Sequence, residues 1–287
     1  MVASVSAPAP SEAIDRHADT LRRDGFVMLK DVLSLERVAQ LNAVCDRLIS
    51  ARPGEEAYNF PEVAEYEPLV ADMIEEPLAL GVVVNVLGYN LGLNNSLINI
   101  RPPVAPDNVP KPGEIRKMGV GRMVNLGWHR DGPSPQFPRI QTFSCKVCYV
   151  LSDMSRPGRG NTKVIPGSHL RADLQPDGDP ERNPPGAIEV LGAPGDAFIF
   201  DMNTWHGAAT NTSDVERRLL FISYSYLWTA AQDAINPTEA VMRGASPLRR
   251  QLFGALYSRP VDRWIPTEDM LPLKAFWRGG ELTRNYA

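Results

Sequence analysis

From about residue 95 to residue 230 the chain is cut into short runs rich in Val, Ile, Phe and Tyr, each bounded by proline or glycine. Such punctuation excludes a helical bundle and marks an antiparallel sandwich or barrel. The runs SLINI, MVNLGWH, TFSCKVCYVL, KVIP, AIEVL, DAFIF and RRLLFISYSYLW supply enough strands for a double-sheet jelly roll of about eight. Proline sharpens the pattern: of 26 in the chain, five lie between Arg101 and Gly113 and five more between Pro176 and Pro194, so these segments are not central strands. Long loops in a compact domain are commonly lids or binding loops. Segment 101–122, together with loop 132–139, is therefore where substrate contacts and closure are expected.

Helical texture flanks this core. Ile14, Ala18 and Leu21 share one face of a first helix, Gly25 stops it before the run FVML, and Ser34 caps a second helix with the stripe Val38, Leu41, Cys45 and Leu48. A third, apolar helix spans Leu78 to Leu87 and ends at Gly88. The reading is a mainly β protein with flanking α-helices. It is a single domain over 1–287, with a mainly helical support at 1–94, a jelly-roll, cupin-like core (a double-stranded β-helix) at 95–230 and a C-terminal extension at 231–287. A chain of about 300 residues buries roughly 75% of its unfolded surface, so no disulfide or structural metal is needed for stability. Any metal here is expected to serve chemistry.

Composition narrows the classes of function. Thirty basic residues against 34 acidic ones give a net charge of −4 and no general reason to bind nucleic acid or an anionic membrane. The longest apolar run, Pro77 to Val84, is too short to span a bilayer, and MVASVSAPAP lacks the basic and apolar regions of a secretory signal. Three cysteines suit a reducing compartment, so a cytoplasmic protein is the expectation. Cys145 and Cys148 spell C-x-x-C but lie in a strand, where positions three apart face opposite ways, and they read as buried thiols.

Two of the four histidines stand where a metal would find ligands. In GWHRDG, His129 and Asp131 are two apart, and at the end of an extended strand i and i+2 share a face. Alone, H-x-D recurs by chance. The second is His206, delivered by a Pro-Gly turn and an apolar strand 75 residues after Asp131; a jelly roll sets such distant strands beside each other. Two histidines and one carboxylate on one face of iron leave three positions open for a co-substrate and dioxygen. Arg217 opens a strand, expected to run beside that of His206, eleven residues after it, and a guanidinium there can hold a carboxylate by two parallel hydrogen bonds. A dicarboxylate chelating iron at one end and gripped by arginine at the other describes 2-oxoglutarate, although an arginine pair opening a strand can also simply face water.

The ordered set H-x-D, GNTKVIPGSH at 160–169, PGD leading to WHG, and RRLL resembles the phytanoyl-CoA dioxygenase family of Fe(II) and 2-oxoglutarate dependent oxygenases. DGFVMLKDVLSLERVAQL and LINIRPP extend the resemblance over nearly the whole chain. It implies that His129, Asp131 and His206 bind iron and that Arg217 binds the distal carboxylate of 2-oxoglutarate, with Arg218 the alternative if the register slips by one residue. Asn99 and Thr162 fall where the family lines the 2-oxoglutarate pocket. The implied reaction consumes dioxygen, converts 2-oxoglutarate to succinate and carbon dioxide, and oxidises, most simply hydroxylates, an unactivated C–H bond of a small molecule, secondary metabolites included. Desaturation, epoxidation or ring formation are other outcomes of the same oxidation.

Departures from the family matter too. Ala208 replaces a common serine, and Cys148 stands where some members carry tryptophan. Related halogenases have alanine or glycine at the position of Asp131, so halogenation is disfavoured. His169 reads as structural, and His17 has no partner in sight. Segment 101–122 holds five basic residues against two acidic, a hint of an anionic substrate. Phe137, Tyr224, Tyr226 and Trp228 are aromatic and left unassigned. Competing readings are a catalytically silent jelly roll that binds a metal or small molecule, and a zinc or manganese cupin, which usually draws on more histidines. The substrate itself and the oligomeric state are not legible.

Overall fold

A computed structural model describes residues 11–54, 57–109, 117–118, 122–123, 127–131, 141–177 and 182–279. The first part of the chain runs through α1 (Ser11–Asp24), β1 (Phe26–Leu29), α2 (Leu35–Ser50), β2 (Tyr58–Pro61), α3 (Val63–Tyr66), α4 (Pro68–Met73) and α5 (Pro77–Leu87). The strand-rich part follows as β3 (Leu91–Arg101), β4 (Lys117–Met118), β5 (Arg122–Met123), β6 (Ser144–Val150), β7 (Thr162–Val164), β8 (Ile188–Glu189), β9 (Ala197–Asp201), β10 (His206–Ala208) and β11 (Arg217–Tyr226). Short helices α6 (Glu239–Met242) and α7 (Pro247–Leu252) come last. The helix boundaries follow their caps: Gly25 has φ +73° and returns its N–H to Leu21, Ser34 accepts from the Arg37 N–H at 3.1 Å, and Gly88 has φ +91°.

A six-stranded antiparallel sheet in the order β1-β9-β6-β11-β3-β2 faces a smaller sheet, β10-β7-β8. This is the double-sheet jelly roll with flanking helices that the strand pattern predicts. The first 94 residues hold α1 to α5 together with β1, at the run FVML, and β2, and these two strands form the edges of the major sheet. One feature differs from the expectation. The strand of Arg217 does not run beside that of His206: β10 pairs with β7 in the small sheet, whereas β11 lies between β3 and β6 in the large one. Residues 209–216 carry the chain across, so the two side chains meet from opposite walls.

Strand alternation divides the large sheet cleanly. Ile98, Ile100, Val147, Tyr149, Ile199, Leu220, Ile222 and Tyr224 face the helices in the main core. Their neighbours Cys148, Val150, Phe198, Phe200 and Leu219 face the small sheet. Cys145 and Cys148 accordingly fall on opposite faces, both buried. Tyr224 belongs to the helix side, its hydroxyl donating to the Ile74 carbonyl at 2.8 Å. The C-terminal segment adds Val241, Leu248, Leu252, Leu273 and Phe276 to that core. Among the described residues no helix is long and apolar enough to cross a membrane.

The turn that launches β9 fixes where His206 arrives. Asp196 returns its N–H to the Ala193 carbonyl at 3.0 Å around Pro194 and Gly195, and Gly195 has φ +98°, as a type II turn requires. A Cβ on Gly195 would stand 2.6 Å from the Leu33 carbonyl oxygen. We expect Gly195→Ala to cost about 1–3 kcal/mol, measured by urea unfolding. In the same turn, burial pushes the Asp196 carboxyl up, but Lys30 at 2.8 Å and the N–H groups of Ala193 and Asp31 outweigh it, and the pKa is lowered. A folded-state pKa below the unfolded one stabilises above about pH 4 and loses that contribution as the pH falls through the folded value. The stability advantage of wild type over Asp196→Asn should therefore be full at neutral pH and shrink in acid; a constant difference between pH 7 and pH 2 would contradict this.

Candidate functional site

His129 and His206 are locked together by backbone before their rings do anything. Each donates its N–H to the other's carbonyl at 2.9 Å, which adds His129 to the edge of the small sheet and sets the ring centroids 4.2 Å apart. Asp131 follows at the same edge, its N–H donating to the Met202 carbonyl at 2.9 Å. One ligand atom from each of the three residues lies within 4.8 Å of the other two. The carboxylate oxygens are 3.4 Å from His129 Nε2 and 3.5 Å from His206 Nε2.

The tautomers follow from the other ring nitrogens. His129 Nδ1 stands 2.7 Å from the Gly127 carbonyl and His206 Nδ1 stands 2.8 Å from the Thr204 carbonyl. A carbonyl only accepts, so both Nδ1 atoms carry a proton, and Nε2 is the nitrogen that each ring turns toward Asp131 and can offer to a metal. Burial lowers the pKa of His206 more than the Asp131 charge raises it. Burial pushes Asp131 up, yet the positive charge around it, Lys146 in direct contact, holds it below the usual carboxylate range. Two imidazoles beside a carboxylate make a donor set suited to one divalent transition metal.

A cavity of about 500 Å³ between the sheets takes in all three residues and also Asn99, Arg101, Lys146, Thr162 and Arg217. Alternation decides between the two arginines. Arg217 turns into the cavity, 3% exposed, and donates to Asn99 Oδ1 at 2.7 Å. Arg218 turns to the helix side and pairs with Asp46 at 2.8 Å and Glu216 at 2.7 Å. Asn99 in turn donates to Asn59, so its amide is committed to orienting Arg217. Gly160, with φ +71°, makes room for that side chain: a Cβ there would lie 2.9 Å from Arg217 Cδ. Thr162 pairs with Ala208 across β7 and β10, and both line the cavity. Cys148 is fully buried, packed in the core on the cavity side of the sheet. His169 is structural, its ring nitrogen Nε2 3.0 Å from the Arg22 carbonyl, and half-buried His17 lies on α1, outside the cavity.

Two cavity residues escape a reading of the sequence. Lys146 donates to Asp131 and has its ammonium 5.8 Å from the rings of both Phe200 and Phe221. Within TFSCKVCYVL a lysine looks like an ordinary solvent-facing residue, and no local signal marks it otherwise. Arg101, counted only as a loop charge, ends β3 directly opposite Arg217. A second cavity of about 330 Å³ shares Asp131 and includes Phe143, Met202, Asn203 and Thr229. Beside it Trp228 stacks on Tyr226 and on Trp264, with ring centroids 5.3 Å apart in each pair. Residues 110–116 and 119–121 of segment 101–122, and all of loop 132–139 with Phe137, lie outside the described residues.

Comparison with known proteins agrees with this geometry. The family described as phytanoyl-CoA dioxygenase (PhyH) matches residues 21–219, more than half of the chain. An ectoine dioxygenase of Nocardia farcinica is 24% identical over 277 residues, covering 83% of this chain and 88% of that protein. Among solved structures, HygX of Streptomyces hygroscopicus, with nickel and 2-oxoglutarate bound, superposes with a TM-score of 0.62 at 17% identity, over 80% of this chain and 94% of that one. The alpha-ketoglutarate dependent carbocyclase SnoK from nogalamycin biosynthesis gives 0.56 at 21% identity, over 77% and 87%. At such identities the structures speak for the fold.

The tautomers are directly checkable. In ¹⁵N-edited spectra of the metal-free protein, His129 and His206 should both show a protonated, hydrogen-bonded Nδ1, with assignment by single His→Gln variants. An unprotonated Nδ1 on either ring would contradict the orientation described.

Proposed function

The chain belongs to the phytanoyl-CoA dioxygenase family, and we propose that it is a non-haem Fe(II) and 2-oxoglutarate dependent dioxygenase that hydroxylates an unactivated C–H bond of a small molecule. The observation that carries this reading is the convergence of two Nε2 atoms, each turned inward by the hydrogen bond of Nδ1 to a backbone carbonyl, with a carboxylate. His129, Asp131 and His206 would hold the iron. Bound there with 2-oxoglutarate, iron supplies the activation of dioxygen that breaks the C–H bond, while succinate and carbon dioxide leave.

The protein's own part is placement. Arg217 would take the distal carboxylate, and Asn99, held by Asn59, aims the guanidinium. Thr162 adds a hydroxyl on the facing wall. Lys146 holds Asp131 in position with a charge-assisted hydrogen bond. The second cavity, which reaches Asp131 from the other side, is the proposed place for substrate. A small-molecule substrate also fits the ectoine dioxygenase relatives. The carbocyclase among the structural neighbours makes ring formation the alternative outcome to test in the product. A reducing, cytoplasmic setting suits three unpaired cysteines, all buried.

Succinate formation from 2-oxoglutarate with Fe(II) and ascorbate, across a panel of small-molecule substrates, tests the function; no succinate above the metal-free control would favour a silent binding protein. His129→Ala and His206→Ala should lose iron and turnover while keeping the wild-type circular dichroism, since the core does not depend on the metal. Asp131→Gly should also end hydroxylation. Arg217→Ala should raise the KM for 2-oxoglutarate steeply. Loss of a charge-assisted pair costs about 2–5 kcal/mol, roughly 30-fold to several-thousand-fold. Arg218→Ala should leave KM unchanged, and the reverse pattern would reassign the anchor.

A further inference from the structure

The cavity holds more positive charge than one arginine anchor supplies. Among its described lining residues stand three cationic side chains, Arg101, Lys146 and Arg217, against the single carboxylate of Asp131. Lys146 and Asp131 take each other. The two guanidinium groups are left without an acidic partner among the described residues. Arg217 makes one side-chain hydrogen bond, to a neutral amide, and its Nε has none although buried.

Their placement is not incidental to the sheet. Arg101 and Arg217 are directly opposed partners in the antiparallel pairing of β3 and β11. Alternation on β3 turns Arg101 to the same face as Asn99, the face that lines the cavity. Like charges opposite each other across a sheet are destabilising, and taking a guanidinium out of bulk water adds to the cost. Arg101, partly exposed, lines the cavity, and burial depresses its pKa to about 10. Among the described residues nothing offsets the two charges, and a bound anion would do so.

We propose that Arg101 and Arg217 form a two-armed clamp that closes on one carboxylate, so that the distal end of the co-substrate dicarboxylate is gripped by two guanidinium groups rather than one. Asn99 and Asn59 hold the Arg217 arm, and the Arg101 arm approaches from the facing strand position. One guanidinium can satisfy both oxygens in the bidentate mode, and the second occupies lone pairs that the first leaves free. The inference rests on the 2-oxoglutarate reading of the site. It goes beyond that reading by assigning a further binding residue and making co-substrate affinity depend on both arms.

The test is equilibrium binding, without turnover. The protein is loaded with nickel and titrated calorimetrically with 2-oxoglutarate, and separately with pyruvate, which keeps the 2-oxo acid end but lacks the distal carboxylate. Arg101→Ala should weaken 2-oxoglutarate binding about 10- to 100-fold and leave pyruvate binding unchanged, with Arg101→Lys in between. Arg101→Ala and Arg217→Ala should combine non-additively, because both act on one carboxylate. Without ligand, Arg101→Ala should melt no lower than wild type, since it removes a like-charge neighbour. Unchanged 2-oxoglutarate affinity in Arg101→Ala, with loss in Arg217→Ala, would overturn the clamp and leave the single anchor. An equal loss for pyruvate and 2-oxoglutarate, or a lower melting temperature with affinity retained, would also overturn it, as a general or structural role. If the nickel-loaded wild type binds pyruvate and 2-oxoglutarate alike, or neither, the 2-oxoglutarate reading itself fails.

Discussion

The two backbone hydrogen bonds between His129 and His206 are the constraint on which the site depends. They hold residues 77 positions apart in the chain as if they were neighbours on a ladder, and the imidazoles inherit their spacing from that ladder. The carbonyls of Gly127 and Thr204 then choose the tautomer, and the Met202 carbonyl seats Asp131. Main-chain geometry therefore sets the donor triangle before any ion is present, which is the kind of rigid placement a reactive centre needs. Side-chain rotamers alone would leave the rings free to turn.

The opposite wall works by alternation. On β3 and β11 the helix-facing positions include the apolar Ile98, Ile100, Leu220 and Ile222, and Asn99, Arg101 and Arg217 on the other face carry polar groups of the cavity. This explains why Arg217 and Arg218, adjacent in sequence, have unrelated surroundings: one is enclosed beside Asn99, and the other bridges Asp46 and Glu216 under α2. The rule also gives Gly160 its place, since a buried guanidinium needs space beside its stem.

Much of this was legible in the amino-acid sequence. Caps at Ser34 and Gly25 announce their helices, strand runs separated by proline and glycine announce the jelly roll, and H-x-D with a later W-H-G marks His129, Asp131 and His206. Local signals stop at the point where pairing partners must be known. Nothing around Tyr58–Pro61 says that it closes one edge of the sheet, because edge strands are recognised by what they pair with. Lys146 carries no mark in its strand, since charge on an alternating strand ordinarily means solvent. Arg101 looked like part of a basic loop until its register opposite Arg217 was known. The histidine strand was placed beside the arginine strand for the same reason: spacing along the chain does not tell a hairpin from a crossing between sheets.

The two edges of the major sheet, β1 and β2, also bear on how the chain assembles. Phe26 pairs with Phe200, and Tyr58 with Ile100. On a ribosome the first strand emerges long before the residue that completes it, and until then its backbone groups have no ladder to join. Contacts so distant in sequence carry a loop-closure cost that must be met before they contribute, which slows folding. The half-made chain exposes a strand edge during that interval. Because β9 both pairs with β1 and leads into His206, the triangle of His129, Asp131 and His206 is completed by the part of the chain that returns to its own beginning.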